Sequence, residues 1–215
     1  MISTPLVVIG AGGFGRETLD VIEAINHSSG ALIFEIVGVV DDAPSDVNLE
    51  RLRSRGIPYL GTIETLLATE TSYAFSIGVG NPRVRQRVAT RLEQAGLEPA
   101  IAVHPSATIG SSVTLGPGTT VCGGVQVSTN TVFGRHVHLN PNATIGHDSR
   151  LGDFVSINPA AVVSGEVTIG TGALVGAGAV ILQGLAVGEG AIIGASACVV
   201  RDVASGVTVK GVPAK

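Results

Sequence analysis

Stepping by six from Val103, the chain presents Val103, Ile109, Leu115, Val121, Val127, Phe133, Leu139, Ile145, Leu151, Ile157, Val163, Ile169, Val175, Ile181, Val187, Ile193 and Val199, every one bulky and apolar. Four places after each stands a small or β-branched residue, from Ala107 and Val113 to Ala197 and Val203, with Leu185 the clear exception. The place just after the bulky residue is often Gly or Asn, as at Gly110, Gly116, Gly134, Asn140, Gly146, Gly152, Asn158, Gly170, Gly176, Gly188 and Gly194. These residue types tolerate tight or unusual backbone angles. A period of six with inward positions at i and i+4 winds around a 3.6-residue helix instead of holding to one face, so a helix is excluded. The pattern predicts a prism of short parallel strands, three hexads to the turn, with the bulky residues filling the axis. At the usual strand spacing of about 4.8 Å the rod stands on the order of 27 Å tall. Its register is expected to run unbroken from Val103 to Val203.

Before the repeat the texture changes to alternating strand and helix signals. Leu6–Ile9 reads as a short apolar strand and Phe14–Ile25 as an amphipathic helix. A second strand, Ile36–Val40, ends at Asp41 and Asp42; a third lies near Ala74–Val79, and a helix follows over Pro82–Gln94. This is a small Rossmann-like α/β unit with parallel strands, expected to occupy residues 1–101, with the coil in residues 102–215. The turn from Gly10 to Gly15 reads GAGGFG and satisfies G-x-G-x-x-G between a strand and a helix, where glycines let backbone approach a phosphate. Asp41 and Asp42 are placed to accept hydrogen bonds from hydroxyls or a base edge. Alone, this turn suggests a dinucleotide oxidoreductase. The unit is only half of a full dinucleotide fold, however, and a repeat supplies no substrate domain for hydride transfer. A single nucleotide is the better guest.

Hydrophobic residues make up 45% of the chain and aromatic ones only 3%, so the interior is packed from Val, Ile, Leu and Ala. A net charge of -4 with no run of Lys or Arg gives no reason to expect nucleic acid. The opening PLVVIGAGGFG has no basic segment or cleavage site, and no apolar run reaches the length of a membrane span, so a cytoplasmic protein is expected. Cys122 and Cys198 match no metal or redox spacing and are expected to be buried free thiols.

Five histidines are candidates for chemistry. His27 falls near the end of the first helix, facing solvent, and His104 opens the coil. His136 and His138 flank the inward Val137 and are expected to point outward. His147 occupies the third place of its hexad, an outward corner of the prism, with Asp148 beside it. A γ-type carbonic anhydrase would need three His stacked at whole turns of about eighteen residues. The separations here, 2, 9 and 32, do not stack.

A Leu, Ile or Val followed by Gly and four further residues resembles the signature of the hexapeptide-repeat acyltransferases. That resemblance implies a left-handed parallel β-helix, a hand that spacing alone does not supply and that runs against the usual crossover rule. LNPNATIGHDSRLGDF, Leu139–Phe154, resembles the active-site strip of the sugar acetyltransferases typified by PglD and the sialic acid O-acetyltransferases. GAGGFG, VVDD, GVGN (Gly78–Asn81) and the ending GVPAK extend the resemblance over both halves.

The resemblance implies His147 as general base with Asp148 as its partner. It places a nucleotide sugar on Gly12, Gly13, Phe14, Asp41, Asp42 and Gly80, and an acceptor pocket at Asn140. It places acetyl-CoA on Ser156, Gly165, Ala177, Gly194 and Ala195. It further implies a homotrimer with active sites between subunits. The expected reaction is N-acetylation of a nucleotide-linked amino sugar from acetyl-CoA, with no metal. O-acetylation of a sialic acid or related sugar is the alternative, and a non-enzymatic nucleotide-binding scaffold is the alternative of another class. A protonated amine has no lone pair, so a base must take a proton as nitrogen attacks the thioester. His suits that task near neutral pH, a neighbouring carboxylate holds its tautomer, and the Gly165 N–H is the candidate oxyanion donor.

Overall fold

The computed structural model describes residues 3–69 and 73–215, and the chain divides into two compact units, Met1–Pro105 and Ser106–Lys215. In the first, β1 (Thr4–Ile9), α1 (Gly13–Ser29), β2 (Phe34–Val40), α2 (Asp46–Ser54), α3 (Ile63–Leu67), β3 (Ala74–Ile77), α4 (Pro82–Gln94) and β4 (Glu98–Pro99) follow in order. The sheet order is β2-β1-β3-β4, all parallel. α1 runs four residues past the expected Ile25, until Gly30 adopts the left-handed conformation (φ 63°) that ends a helix. α4 starts where Asn81 caps the amides of Arg83 and Val84 and Pro82 takes the first turn. β3 stops at Ile77, two residues short of the expected Val79. α2 and α3 were not foreseen; Ser45 and Thr62 cap them. Leu6, Val8, Leu19, Ile22, Val39 and Leu52 form a core between the sheet and its helices.

The second unit is a coil of about six turns. Each strand is two residues long, and its partner in the next turn lies eighteen residues away, as in His138–Leu139 on Ser156–Ile157. Three parallel faces result. The first carries Thr120, His138, Ser156, Leu174 and Ile192. The second carries Gln126, Thr144, Val162, Val180 and Cys198, and the third Val132, Arg150, Thr168 and Ala186. The bulky hexad residue is the inward member of each strand: Leu139, Ile157, Val163, Val175, Ile181 and Ile193 are wholly buried. Burying these apolar residues holds the turns together, while amides such as Thr144 N–H to Ala161 C=O (2.9 Å) join one turn to the next.

Two expectations about the coil need correction. The glycine after each bulky residue is not there for its backbone freedom. The left-handed residue stands two places later, from Ser112 (φ 57°) to Ser196 (φ 56°), and is often not glycine. The earlier glycine is needed because the next turn passes directly over it: a side chain on Gly152 would come within 2.7 Å of the Thr171 amide nitrogen. Where Asn140 fills that place, its amide instead donates to Ile157 C=O (3.0 Å) and Asn158 (3.4 Å).

The register also breaks at the far end. Val203 sits opposite Val187 and Thr208 opposite Ile192, sixteen residues on instead of eighteen. The hexad that begins at Val199 is two residues short, and Val203 takes a bulky place instead of a small one. Asp202 fills the gap in the ladder: its carboxylate accepts the Ala186 N–H at 2.8 Å, where Thr168 one turn earlier donates to the Leu185 carbonyl.

Candidate active site

His147 stands at the corner between the second and third faces. Asp148 follows it with a left-handed backbone (φ 60°), the turn that points both side chains away from the axis. His147 Nδ1 lies 2.7 Å from Asp148 Oδ2, and both side chains are half exposed. Asn130, one turn earlier, donates its amide to the other carboxylate oxygen at 3.2 Å. Hydrogen bonds from His147 and then Asn130 hold the Asp148 carboxyl below its usual range, against a smaller opposing effect of desolvation. An ionised Asp148 keeps the imidazole proton on Nδ1 and leaves the Nε2 lone pair free to act as a base.

The opposite edge of the ring is fixed sterically. A side chain on Gly165, one turn on, would lie 2.6 Å from His147 Cε1 and Nε2. The imidazole therefore lies against bare backbone at Gly165. The Gly165 N–H has no acceptor among the described residues. Beside the ring, a groove of about 400 Å³ runs along the second face, with Gln126, Ser128, Thr144 and His147 in its walls.

The expected coil residues fall into three groups. His147, Asp148 and Gly165 share one corner. Asn140, Ala177, Gly194 and Ala195 share the corner on the other edge of the second face, Ala177 and Ala195 exposed and Asn140 9% exposed. Ser156 lies on the first face and is buried (2%). His136 and His138, expected to point outward, are both buried: the His136 ring stacks on Phe154 (5.3 Å between centroids) over Gly118, and His138 lies between the buried Thr120 and Ser156. Cys122 is buried as expected, whereas Cys198 is half-buried on the second face; neither is in a disulfide. Asn130 was missed, although counting back eighteen residues from Asp148 finds it.

In the first unit the glycines divide by function. Gly10, Gly15 and Gly78 pack against one another, so that a side chain on Gly15 would collide with the Gly10 carbonyl and one on Gly78 with Gly15 Cα. Gly12, Gly13 and Gly80 have open space where a side chain would stand. Phe14 is half-buried between these sets. Asp41 is committed to backbone, accepting from Ala11 N–H (2.7 Å) and Ala43 N–H (2.9 Å). Arg16, not among the residues expected from sequence, donates to the Ala11 carbonyl (2.9 Å) and to Asn48 (2.7 Å), so charged groups hold the peptides on either side of Ala11. Asp42 accepts from Ile63 N–H at the start of α3 (2.8 Å). Arg85 is wholly buried and holds the carbonyls of Val79 (2.9 Å) and Gly80 (3.1 Å); burial pulls its guanidinium down to about 9, still charged at neutral pH. No helix among the described residues is long and apolar enough to cross a membrane.

Comparisons with known proteins bear on both units. A family model of the PglD N-terminal domain matches residues 5–92. A GDP-perosamine N-acetyltransferase from Escherichia coli is 36% identical over 151 residues, which cover 68% of this chain and 64% of that protein. The match thus spans a little under two thirds of that relative's length. Among solved structures, a variant of perosamine N-acetyltransferase from Caulobacter crescentus, in complex with CoA and GDP-perosamine, is 30% identical with a TM-score of 0.87, covering 100% of this chain and 97% of that one. The acetyltransferase domain of PglB from Neisseria gonorrhoeae is 31% identical with a TM-score of 0.85, covering 99% of each; that domain has also been solved in complex with acetyl coenzyme A.

Proposed function

Since the chain belongs to the PglD-like sugar acetyltransferases of the hexapeptide-repeat superfamily, we propose that it transfers an acetyl group from acetyl-CoA to the amino group of a nucleotide-linked amino sugar. The observation that carries this reading is the His147 ring, held on Asp148 at 2.7 Å and seated against Gly165 beside an open groove.

In the proposed reaction the sugar nitrogen attacks the thioester carbonyl carbon and a C–N bond forms. His147 Nε2 takes the proton that the nitrogen sheds, and Asp148 stabilises the resulting imidazolium. The negative charge that builds on the carbonyl oxygen falls to the uncommitted Gly165 N–H. Collapse of the intermediate breaks the C–S bond, and the proton passes from His147 to the departing thiolate, leaving amide and free coenzyme. Ser156, Ala177, Gly194 and Ala195 are proposed to contact the coenzyme, and Asn140 the acceptor. Gly12, Gly13, Phe14, Asp41, Asp42 and Gly80 are proposed to form the nucleotide-sugar site. The open space at Gly12, Gly13 and Gly80 supports their part in it.

His147 is half exposed on a corner, beside the groove of the second face. A homotrimer, in which a neighbouring coil supplies the second wall, is proposed as the working form, in the cytoplasm. Free-coenzyme release measured against a panel of nucleotide amino sugars and sialic acids tests the activity. A single amino-sugar hit that His147→Ala lowers by about 100-fold or more supports the reading. Full activity of the variant, or acetylation only of hydroxyls, overturns it.

A further inference from the structure

Arg85 stands on α4 at a place where the helix asks for an apolar residue. The buried face of α4 is Pro82, Arg85, Ala89 and Leu92, and within it Arg85 is wholly buried. A charge taken out of water is costly unless partners hold it, and an apolar residue of similar volume in its place is often no less stable. The partners are informative. Nη1 donates to two successive carbonyls, Val79 at 2.9 Å and Gly80 at 3.1 Å, in the segment that joins β3 to α4. Resting on the nucleotide-sugar reading above, we propose that Arg85 is a positioning residue for that substrate: it holds the Val79 and Gly80 peptides from within the core and so presents their outer side to the ligand.

Both ends of the segment are fixed without Arg85. The Gly78 N–H donates to the Ile9 carbonyl at 2.7 Å, and a side chain on Gly78 would collide with the Gly15 Cα. Asn81 is tied to α4 by its side chain, which accepts from Arg83 N–H (3.0 Å) and Val84 N–H (3.1 Å). The guanidinium thus serves the two peptides in between. A trans peptide sets its C=O and N–H on opposite sides. Carbonyls drawn in toward the buried Arg85 therefore turn the N–H groups of Gly80 and Asn81, both exposed residues, away from the core.

The residue at position 80 points to a ligand on that outer side. The backbone of Gly80 is not left-handed, and a side chain on it would meet nothing within 4 Å. Neither backbone angles nor packing within the chain requires glycine there, whereas close approach of a ligand to the backbone does. Arg85 acts on that ligand through the two peptides and does not touch it. Its guanidinium, pulled down to about 9 by burial, is charged at neutral pH, so both carbonyls are held by charge-assisted hydrogen bonds.

The test is steady-state kinetics of the full chain and of Arg85→Met and Arg85→Lys, with acetyl-CoA and the nucleotide amino sugar that turns over fastest in the coenzyme-release panel. Arg85→Met fills the space and loses both hydrogen bonds; Arg85→Lys keeps a charge and donors. Arg85→Met is expected to raise KM for the nucleotide sugar by at least about tenfold, with kcat and KM for acetyl-CoA within about twofold of the unaltered chain. Arg85→Lys should raise it less, by about threefold. A merely structural role predicts another pattern: less folded enzyme, hence a lower kcat, with both KM values unchanged. That pattern, or a rise of both KM values together, overturns the positioning role and leaves the sugar acetyltransferase reading standing. Should Arg85→Met fail to fold, Arg85→Lys decides alone, and a sugar KM within about 1.5-fold of the unaltered value overturns the proposal. No turnover of any panel sugar by the unaltered chain overturns both readings.

Discussion

The imidazole of His147 occupies the volume that a side chain on Gly165, eighteen residues later, would require. A ring pinned between a carboxylate and bare backbone needs no further contact to keep one orientation. Its pose depends on a residue with no side chain.

Gly165→Ala is therefore expected to push the ring off its seat. Displacing a reacting group by about 1 Å can cost about 100-fold in rate, so kcat should fall by about 10- to 100-fold. Gly165 lies outside the left-handed positions, so the melting temperature should change little by comparison. Steady-state kinetics beside thermal melts separate the two effects.

Asn130→Ala removes the second donor to Asp148. The Asp148 carboxyl should titrate at higher pH in the variant, measurable by carbon-13 NMR. The native carboxyl binds protons less readily than the unfolded one, so its stabilising contribution is fully present above the unfolded value of about 4. It is lost as pH falls through the depressed native value. The difference in melting temperature between the unaltered chain and Asn130→Ala should thus be larger at neutral pH than in strong acid, where only the pH-independent cost of placing Ala at the left-handed backbone of Asn130 (φ 58°) remains.

Gly13→Ala and Gly15→Ala should part company. A side chain on Gly13 meets nothing within 4 Å, so stability is expected to stay within about 0.5 kcal/mol while KM for the nucleotide sugar rises. One on Gly15 meets the Gly10 carbonyl, and that variant should unfold early whether or not ligand is present.

Asp202→Ala removes the acceptor that stands in for a missing carbonyl at the far end of the coil. The loss of one hydrogen bond, about 1 kcal/mol, corresponds to about 2–4 °C for a chain of this size. Faster hydrogen exchange at the Ala186 amide would locate the effect.

The coil was legible because its period is set by the covalent chain: a bulky residue every sixth place can face one axis only if the backbone turns in step. The corner geometry was not legible. Residues as different as Asp148, Phe154 and Glu166 take the same left-handed turn there, and stacking between turns imposes it regardless of intrinsic preference. The shortened hexad after Val199 was hidden because Val203 is apolar and suits either register. The burial of His136 and His138 was not legible for a related reason, since alternation along a two-residue strand says which way a side chain points but not what covers it. In the first unit the glycine motif marked the turn correctly. It did not reveal that Asp41 takes two backbone amides and Asp42 one, because that depends on the amides of Ala11, Ala43 and Ile63, brought together only by folding.

Strand partners eighteen residues apart make each turn of the coil a unit that can be copied whole. Inserting or removing eighteen residues beyond Gly165 would leave His147, Asp148 and Asn130 in place and shift the far end by about 4.8 Å. Rod length is thus a stepwise variable that leaves the His147 corner itself unchanged, while steps taken before Ala195 move the proposed coenzyme contacts. A lineage can lengthen or shorten the coil without rebuilding its base.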